Sequence, residues 1–406
     1  MVQSASQSIE SFNTRREPER LAMKMLAMRS NAFSFLRGTC HLFHQRMAEQ
    51  HLVPAGPSAW ICGDLHLENF GTYLGANGLT YFDVNDFDET IAAPHTLDIL
   101  RLATSILVAA PVVGLKPASA KAHARHLIDS YLEELATGKS RWLERRTATG
   151  PIGDLMENLK KRTTLRLLEK RTVLKSGRRM LNDDGIKTLP CTKADRDELA
   201  ALIEALPKIH AHPKALNVLD AARRIAGTGS LGLPRFVILV EGAGSPDGNW
   251  LLDLKAAQPS ALAPYVTTPQ PAWPTEAARV AAIETLFQAN TPDLLSAQVL
   301  RGQSFVLKEM QPSADRLQLA TVAKRDDDFG RVVETMAQLT AWGHLRGSGR
   351  YGAATADALV AAAQKTRAAT DLLERATALA DLNAADWAQF CQTQPAAAAD
   401  AGATIE

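Results

Sequence analysis

Two short apolar runs that end in carboxylates constrain this chain more than any other feature. SAWICGD (58–64) continues into LHLEN, and LTYFDVND (79–86) continues into FDE. Runs of this length, separated by the turn segment GANG, predict a small hairpin of strands. Strand ends carrying Asp64, Glu68, Asp83, Asp86, Asp88 and Glu89 need solvent, partners or a cation, because an isolated buried carboxylate is costly. Magnesium accepts carboxylate and amide oxygens and usually bridges to phosphate. One aspartate can then stay free as a base while another Asp and an Asn hold metal. The plainer alternative is that Asp64 and Asn69 form turns and Asp86 caps the next helix.

Gly227-Thr228-Gly229-Ser230-Leu231-Gly232 matches G-x-G-x-x-G, a pattern with little weight alone. A dinucleotide-binding turn needs a strand before it and a helix after it. Here LNVLDAARRIA reads as helical before the turn, and PRFVILVEG reads as a strand after it. That order suits a glycine loop of the kinase type, whose amides lie over the ATP phosphates between two antiparallel strands. An ordinary glycine turn into a hairpin is the alternative.

Lys255 ends an apolar run in NWLLDLKAA, which is predicted to pair with PRFVILVEG through the turn-rich AGSPDG. A lysine in an apolar strand either snorkels to water or meets an anion. Lying 23 residues past Gly232 (232 to 255), it suits contact with the α- and β-phosphates. Glu284, in the predicted helix EAARVAAIETLFQAN, is the expected carboxylate partner of Lys255, with Glu276 as its rival.

Helical spacing marks residues 18–50, four segments between 95 and 206 (LDILRLATSILVAA, ASAKAHARHLIDSYLEELATG, DLMENLKKRTTLRLLEK, KADRDELAALIEAL), a long helix from 326 to 345, and one or two helices in the Ala-rich remainder. SAQVLR and SFVLKEM read as short strands. The expected fold class is α+β with two lobes. Residues 1–206 form a large helical lobe with the catalytic and metal loops, 207–320 a small antiparallel-sheet lobe that binds nucleotide, and 321–406 helices returning to the first lobe. A chain of 406 residues with 46% hydrophobic content can bury two linked cores.

A formal net charge of +1 gives no global field to recruit nucleic acid or anionic lipid. Cys40, Cys62, Cys191 and Cys391 lack the spacing of a zinc site and the density of a disulfide scaffold, which points to a reducing compartment. The polar N-terminus shows no signal segment. The longest apolar stretch, Leu97–Gly114, contains Asp98 and Arg101 and is too short and charged to span a bilayer comfortably. A cytoplasmic protein without a membrane partner is expected.

The Asp64–Asn69 spacing and NDFDE resemble the GDxHxxN loop and the IDFD-type metal motif of aminoglycoside phosphotransferases and choline kinases. That resemblance implies Asp64 as the base that orients the acceptor hydroxyl. It implies Asn69 and Asp86 as magnesium ligands, with Asp88 assisting and Asp83 as a substitute for Asp86. Asp98 in PHTLDILRLA resembles the aspartate that anchors the catalytic loop. Cys62 stands where those kinases usually carry histidine, and the glycine loop and lysine follow the catalytic loop instead of preceding it. A circularly permuted protein-kinase-like fold is therefore expected, which is tolerable where the old junction lies at the surface. In it the helix 326–345 resembles the one that normally leads into the catalytic loop, with Ile61 as its natural continuation. The order FSFLRG, CGDLHLENFG, NDFDET, GTGSLG, LDLKAAQPS closely resembles a bacterial family of unknown function, DUF2252, over residues 15–350. That resemblance implies ATP and Mg²⁺ but no acceptor.

The expected function is ATP- and magnesium-dependent phosphoryl transfer to a hydroxyl-bearing acceptor, a small molecule rather than a protein. A kinase-fold adenylyltransferase, or a regulator that binds nucleotide without catalysis, would carry the same residues. GDLH also opens metallophosphoesterase sites, but the Gly-Asn-His segment those enzymes need is missing from the sequence. Nine Lys or Arg between 160 and 179, including Arg162, Arg166, Arg171, Arg178 and Arg179, form a solvated basic face or recognise an anionic acceptor. No aromatic residue interleaves them, so nucleic acid is not the expected partner. Arg37 is a candidate for a phosphate or carboxylate contact, or for a helix-anchoring salt bridge. Cys40, His41 and His44 on one helix rarely supply a tetrahedral site without a distant ligand, and His123 and His126 have the same weakness. His344 reads as a helix C-terminal cation or a loop brace.

Overall fold

A computed structural model describes residues 3–159, 164–206, 216–311, 316–365 and 368–393. Its strands are β1 Ser58–Ile61, β2 Phe70–Leu74, β3 Thr80–Val84, β4 Ile91–Pro94, β5 Thr172–Lys175, β6 Arg178–Leu181, β7 Thr188–Pro190, β8 Val218–Arg224, β9 Arg235–Val240, β10 Trp250–Ala256, β11 Ser296–Leu300 and β12 Gln303–Glu309. Six of them form an antiparallel sheet in the order β11-β12-β10-β9-β8-β7, and β1–β4, β2–β3 and β5–β6 are separate antiparallel pairs. With the helices below, this is the α+β class.

Alternation along the strands divides the six-stranded sheet into two faces. Leu252 and Leu254 of β10 join Phe236, Ile238 and Val240 of β9 and Phe305 and Leu307 of β12 in one apolar cluster. Leu199 and Ile203 of the helix Lys193–Glu204 cover it. The intervening residues Asp253 and Lys255 face the other way. Directly opposed residues share a face, so Lys308, opposite Asp253, and Arg235, opposite Lys255, face that way too.

The larger core belongs to a helical layer built around Thr96–Val113, Pro117–Ala136, Asp326–Gly347 and Ala368–Thr393. Thr96–Val113 is long and apolar enough to cross a membrane by length and composition, but 83% of it is buried inside the fold. Asp326–Gly347 begins with Asp326, Asp327 and Asp328 and ends with His344 and Arg346, a distribution that complements the helix dipole. Its exit meets β1, where Trp60 Nε1 donates to Arg350 O at 2.9 Å and Ala354 N to Ser58 O at 2.8 Å. Ala5 and Ile9 of the first helix, Ala5–Asn13, pack with Phe35, Leu42 and Phe390, so the first and last helices adjoin.

Four expectations need correction. The hairpin around GANG is made by β2 and β3, while SAWI pairs with IAAP as β1–β4. The one-turn helix Leu67–Asn69 separates SAWI from FGTYL, and FGTYL is the strand that pairs with TYFDV through the GANG turn. LNVLDAARRIA is no helix: residues 218–224 form β8, because ladders to both β7 and β9 override the helix preference of alanine and arginine. DLMENLKKRTTLRLLEK covers two helices, Gly150–Leu159 and Thr164–Arg171, followed by the β5–β6 hairpin. Lys160, Lys161 and Arg162 lie outside the described residues. Finally, β7 and the helix Lys193–Glu204 already belong to the sheet layer, so that layer begins before residue 206; the expected boundary abuts residues 207–215, also outside the described residues.

Candidate functional site

The charged face of the sheet and the helical layer enclose a cleft of about 940 Å³ lined by Lys255, Lys308, Glu284, Asp86, Asp88, Arg37 and Glu68. Four segments contribute to the site, the first reaching the cleft through Glu68, while Asp64 and Asn69 on the same loop are not among the residues that line it.

The first is the loop after β1. Gly63 has φ +80°, and a Cβ there would collide with the Glu89 carbonyl oxygen. Its amide donates to Asp98 Oδ1 at 2.9 Å, the Cys62 amide donates to Asp98 Oδ2 at 2.8 Å, and its carbonyl lies 2.9 Å from His44 Nε2. Gly63→Ala is expected to cost about 1–3 kcal/mol of stability, read as a lower urea midpoint with an unchanged slope. Asp98 in turn receives His344 Nε2 at 3.2 Å. His344 Nδ1 lies 2.8 Å from Tyr131 Oη, which lies 2.8 Å from His95 Nδ1. Asp98 therefore anchors the loop, and His344 braces Asp98.

Arg101, with 0% of its side chain exposed, donates from Nε to Asp64 Oδ1 at 2.7 Å and from Nη2 to the same oxygen. Burial raises the Asp64 carboxyl above its ordinary value, Arg101 opposes that, and the neighbouring Asp86 adds to it. Neither Arg101 bond uses Oδ2. Asn69 Nδ2 donates to Asp64 O at 2.7 Å, a bond that does not use its Oδ1.

The second segment, the turn after β3, is tied to the first by Asn85 N, which donates to Asn69 O at 3.0 Å. Lys255 Nζ lies 3.4 Å from Asp86 Oδ1 and also contacts Asp88 Oδ2. Burial pushes both carboxyls up. At Asp86 the ammonium groups of Lys255 and Lys308 outweigh it and hold the carboxyl below its ordinary value, whereas at Asp88 burial prevails. Asp83 does not stand in for Asp86. It is buried away from the cleft against Arg346 Nη2 at 3.3 Å, and burial pushes its carboxyl up to about 6.

The third segment corrects an expected pairing. Glu284, in the helix Glu276–Phe287, meets Lys308 Nζ at 2.7 Å and not Lys255. That helix packs over β11 and β12, so its carboxylate faces the lysine of β12, while β10 and Lys255 lie one strand further in. Glu276 bonds Arg279 at 2.8 Å and is no partner of Lys255 either.

The fourth is the glycine turn, which joins the antiparallel β8 and β9. Gly227, at φ +81°, Thr228 and Ser230 line the cleft. Gly229 and Gly232 do not; they meet the N-terminal segment. Arg16 Nη1 donates to Gly229 O at 2.7 Å and to Leu231 O at 2.6 Å, Lys24 Nζ to Gly229 O at 3.3 Å, and Glu17 N to Gly232 O at 3.3 Å. A Cβ on Gly232 would sit 2.8 Å from Arg16 Cβ. The turn is thus fastened to the helical layer.

A family model described as "Uncharacterized protein conserved in bacteria (DUF2252)" matches residues 16–393. The chain belongs to the DUF2252 family. No curated protein and no solved structure matches it. The matched span takes in every residue that lines the cleft of this DUF2252 chain, and also Arg16 and Lys24, which fasten its glycine turn.

Among the described residues no three His, Cys, Asp or Glu side chains converge as a ready-made metal cluster. His41 and His44 are buried, and burial pushes both down to about 3. Asp86 and Asp88 line the cleft and offer hard oxygen donors of the kind magnesium takes alongside phosphate and water, and Asn69 Oδ1 is a third oxygen donor on the adjoining loop. Of the basic run, Lys170 and Arg171 line the DUF2252 cleft, while Arg179 bonds Asp247 at 2.6 Å. Arg37 Nη1 forms a salt bridge to Glu68 at 2.6 Å.

The sequence reading missed Lys308, Arg101, Arg16 and Lys24. Lys308, in SFVLKEM, interrupts an apolar strand just as Lys255 does, and Arg101 is a lone cation in LDILRLATS, so the signal that marks Lys255 marks both. Arg16 and Lys24 carry no such signal, since their partners are backbone oxygens of a distant turn.

Proposed function

We propose that this protein is an ATP- and magnesium-dependent phosphotransferase with a circularly permuted protein-kinase-like fold, acting on a hydroxyl-bearing small molecule. One observation carries the reading: a glycine turn between antiparallel strands, a lysine on the next strand, and two acidic loops meet in a single cleft although they are scattered along the chain. The exit of helix Asp326–Gly347 beside β1 supports the permutation, since the chain would there continue towards Ile61. Cys40, Cys62, Cys191 and Cys391 are all free, which suits a cytoplasmic setting.

In this reading the backbone at Gly227, Thr228 and Ser230 covers the phosphates and Lys255 contacts them. Asp86, Asp88 and Asn69 would hold magnesium, which supplies charge neutralisation at the phosphate oxygens when bound. Asp64, fixed at Oδ1 by Arg101, accepts the proton of the acceptor hydroxyl as its oxygen bonds to the γ-phosphorus and the bond to the β-phosphate oxygen breaks. Positioning and electrostatics do the chemistry, with no covalent enzyme intermediate.

The test is incubation of the protein with magnesium and ATP labelled at either the α or the γ position, in a metabolite extract, beside Asp86→Ala. Movement of γ label into a metabolite, lost in the variant, is the expected result. Movement of α label would replace phosphotransfer with adenylylation. Magnesium-dependent ATP binding without any transfer would mark a nucleotide-binding regulator.

A further inference from the structure

The two lysines of the cleft are held differently. Lys255 is engaged by Asp86 and Asp88, the residues that would also serve magnesium. Lys308 is engaged by Glu284 of the helix Glu276–Phe287, which packs over the strand that carries the lysine. Strand register puts Lys308 opposite Asp253 and Lys255 opposite Val306, so the two ammonium groups stand on adjacent strands of the same face, one pleat apart.

Glu284 is 1% exposed, and the Lys308 side chain is 21% exposed and lines the cleft. A buried ion pair contributes little net stability after desolvation, and a charged pair placed against a cleft is a functional candidate. An ammonium carries three donors. The bond to Glu284 uses one and fixes the side chain, which leaves the others for a ligand.

We propose that Lys308, clamped by Glu284, anchors a polyphosphate chain in this cleft, so that phosphate holding is shared by two lysines on neighbouring strands. This rests on the nucleotide-binding reading above. An anionic ligand meets in Lys308 a cation whose partner is not a candidate metal ligand, so its contribution is present with or without magnesium. Glu284 is a positioning residue: it sets where the Lys308 ammonium stands.

The test is titration of the full chain with a fluorescent ribose-modified ATP, in EDTA and in magnesium, with inorganic tripolyphosphate as competitor. The main variant is Lys308→Met combined with Glu284→Gln, which leaves no uncompensated buried carboxylate. It is expected to melt within a few degrees of wild type and to lose at least tenfold in affinity for both the nucleotide and tripolyphosphate, in EDTA as well as in magnesium. Lys308→Arg is expected to recover part of that loss, and Lys308→Gln, which keeps a donor for Glu284, supplies a second charge-free variant should the double change fail to fold. Affinity within twofold of wild type in either charge-free variant overturns the inference. If wild type binds ATP and transfers its γ-phosphoryl while these variants bind as tightly, only this inference falls. If wild type binds neither ATP nor tripolyphosphate, the nucleotide reading falls and takes this one with it.

Discussion

Asp64→Asn is expected to slow phosphoryl transfer by about 10²- to 10⁴-fold, the usual contribution of a positioned base, while nucleotide affinity stays within a few-fold of wild type. The asparagine keeps an oxygen for the Arg101 bonds now made to Oδ1 but replaces Oδ2, the oxygen those bonds do not use, with an amide that cannot take a proton. Single-turnover rates of label transfer from γ-labelled ATP to the acceptor, beside equilibrium binding of ATP, check this. Equal losses in both would sink the role of Asp64 as base. Because burial raises the Asp64 carboxyl, activity should fall on acidification through a midpoint above the ordinary carboxylate value of 3.8.

Arg101→Met should have the largest effect on stability, about 3–5 kcal/mol at neutral pH, because it leaves a buried carboxylate without its partner. The dependence on pH fixes the sign. Losing the cation raises the folded-state value of Asp64 further, so the variant loses stability as pH rises from 3.8 towards that value, and at lower pH the carboxyl is protonated in both states and this part of the penalty vanishes. Urea melts from pH 3 to pH 8 would show it. In an Asp64→Asn background the cost of Arg101→Met should shrink by more than half, since the two residues act as a pair. A penalty independent of pH and of residue 64 would mean that Arg101 acts only through packing, such as its place 4.6 Å from the Phe43 ring centre.

Much of the site was legible because its residues come in tight local spacings. Asp64 with Asn69, and Asp86 with Asp88, belong to short loops, and Asp86, Asp88 and Lys255 line one cleft that the first loop reaches through Glu68. The partner of Glu284 was not legible, since it depends on which strand lies beneath the helix, and sheet order is a tertiary fact. The same holds for β8, whose alanines and arginines favour a helix locally and become a strand only between two neighbours. The glycine spacing predicted a turn, and there is one. It could not predict that Gly229 and Gly232 face Arg16 and Glu17 across more than two hundred residues of chain.

The meeting of the first and last helices has a consequence for biosynthesis. Phe35 and Leu42 leave the ribosome roughly 350 residues (42 to 390) before Phe390, which shares their apolar cluster. At roughly 5–20 residues per second, that strip waits uncovered for tens of seconds. The strands of the six-stranded sheet, by contrast, all lie between residues 188 and 309, so its pairing partners emerge within one continuous stretch. Translation therefore completes the sheet layer first, and the helical layer, which draws on residues from both sides of that stretch, closes after it.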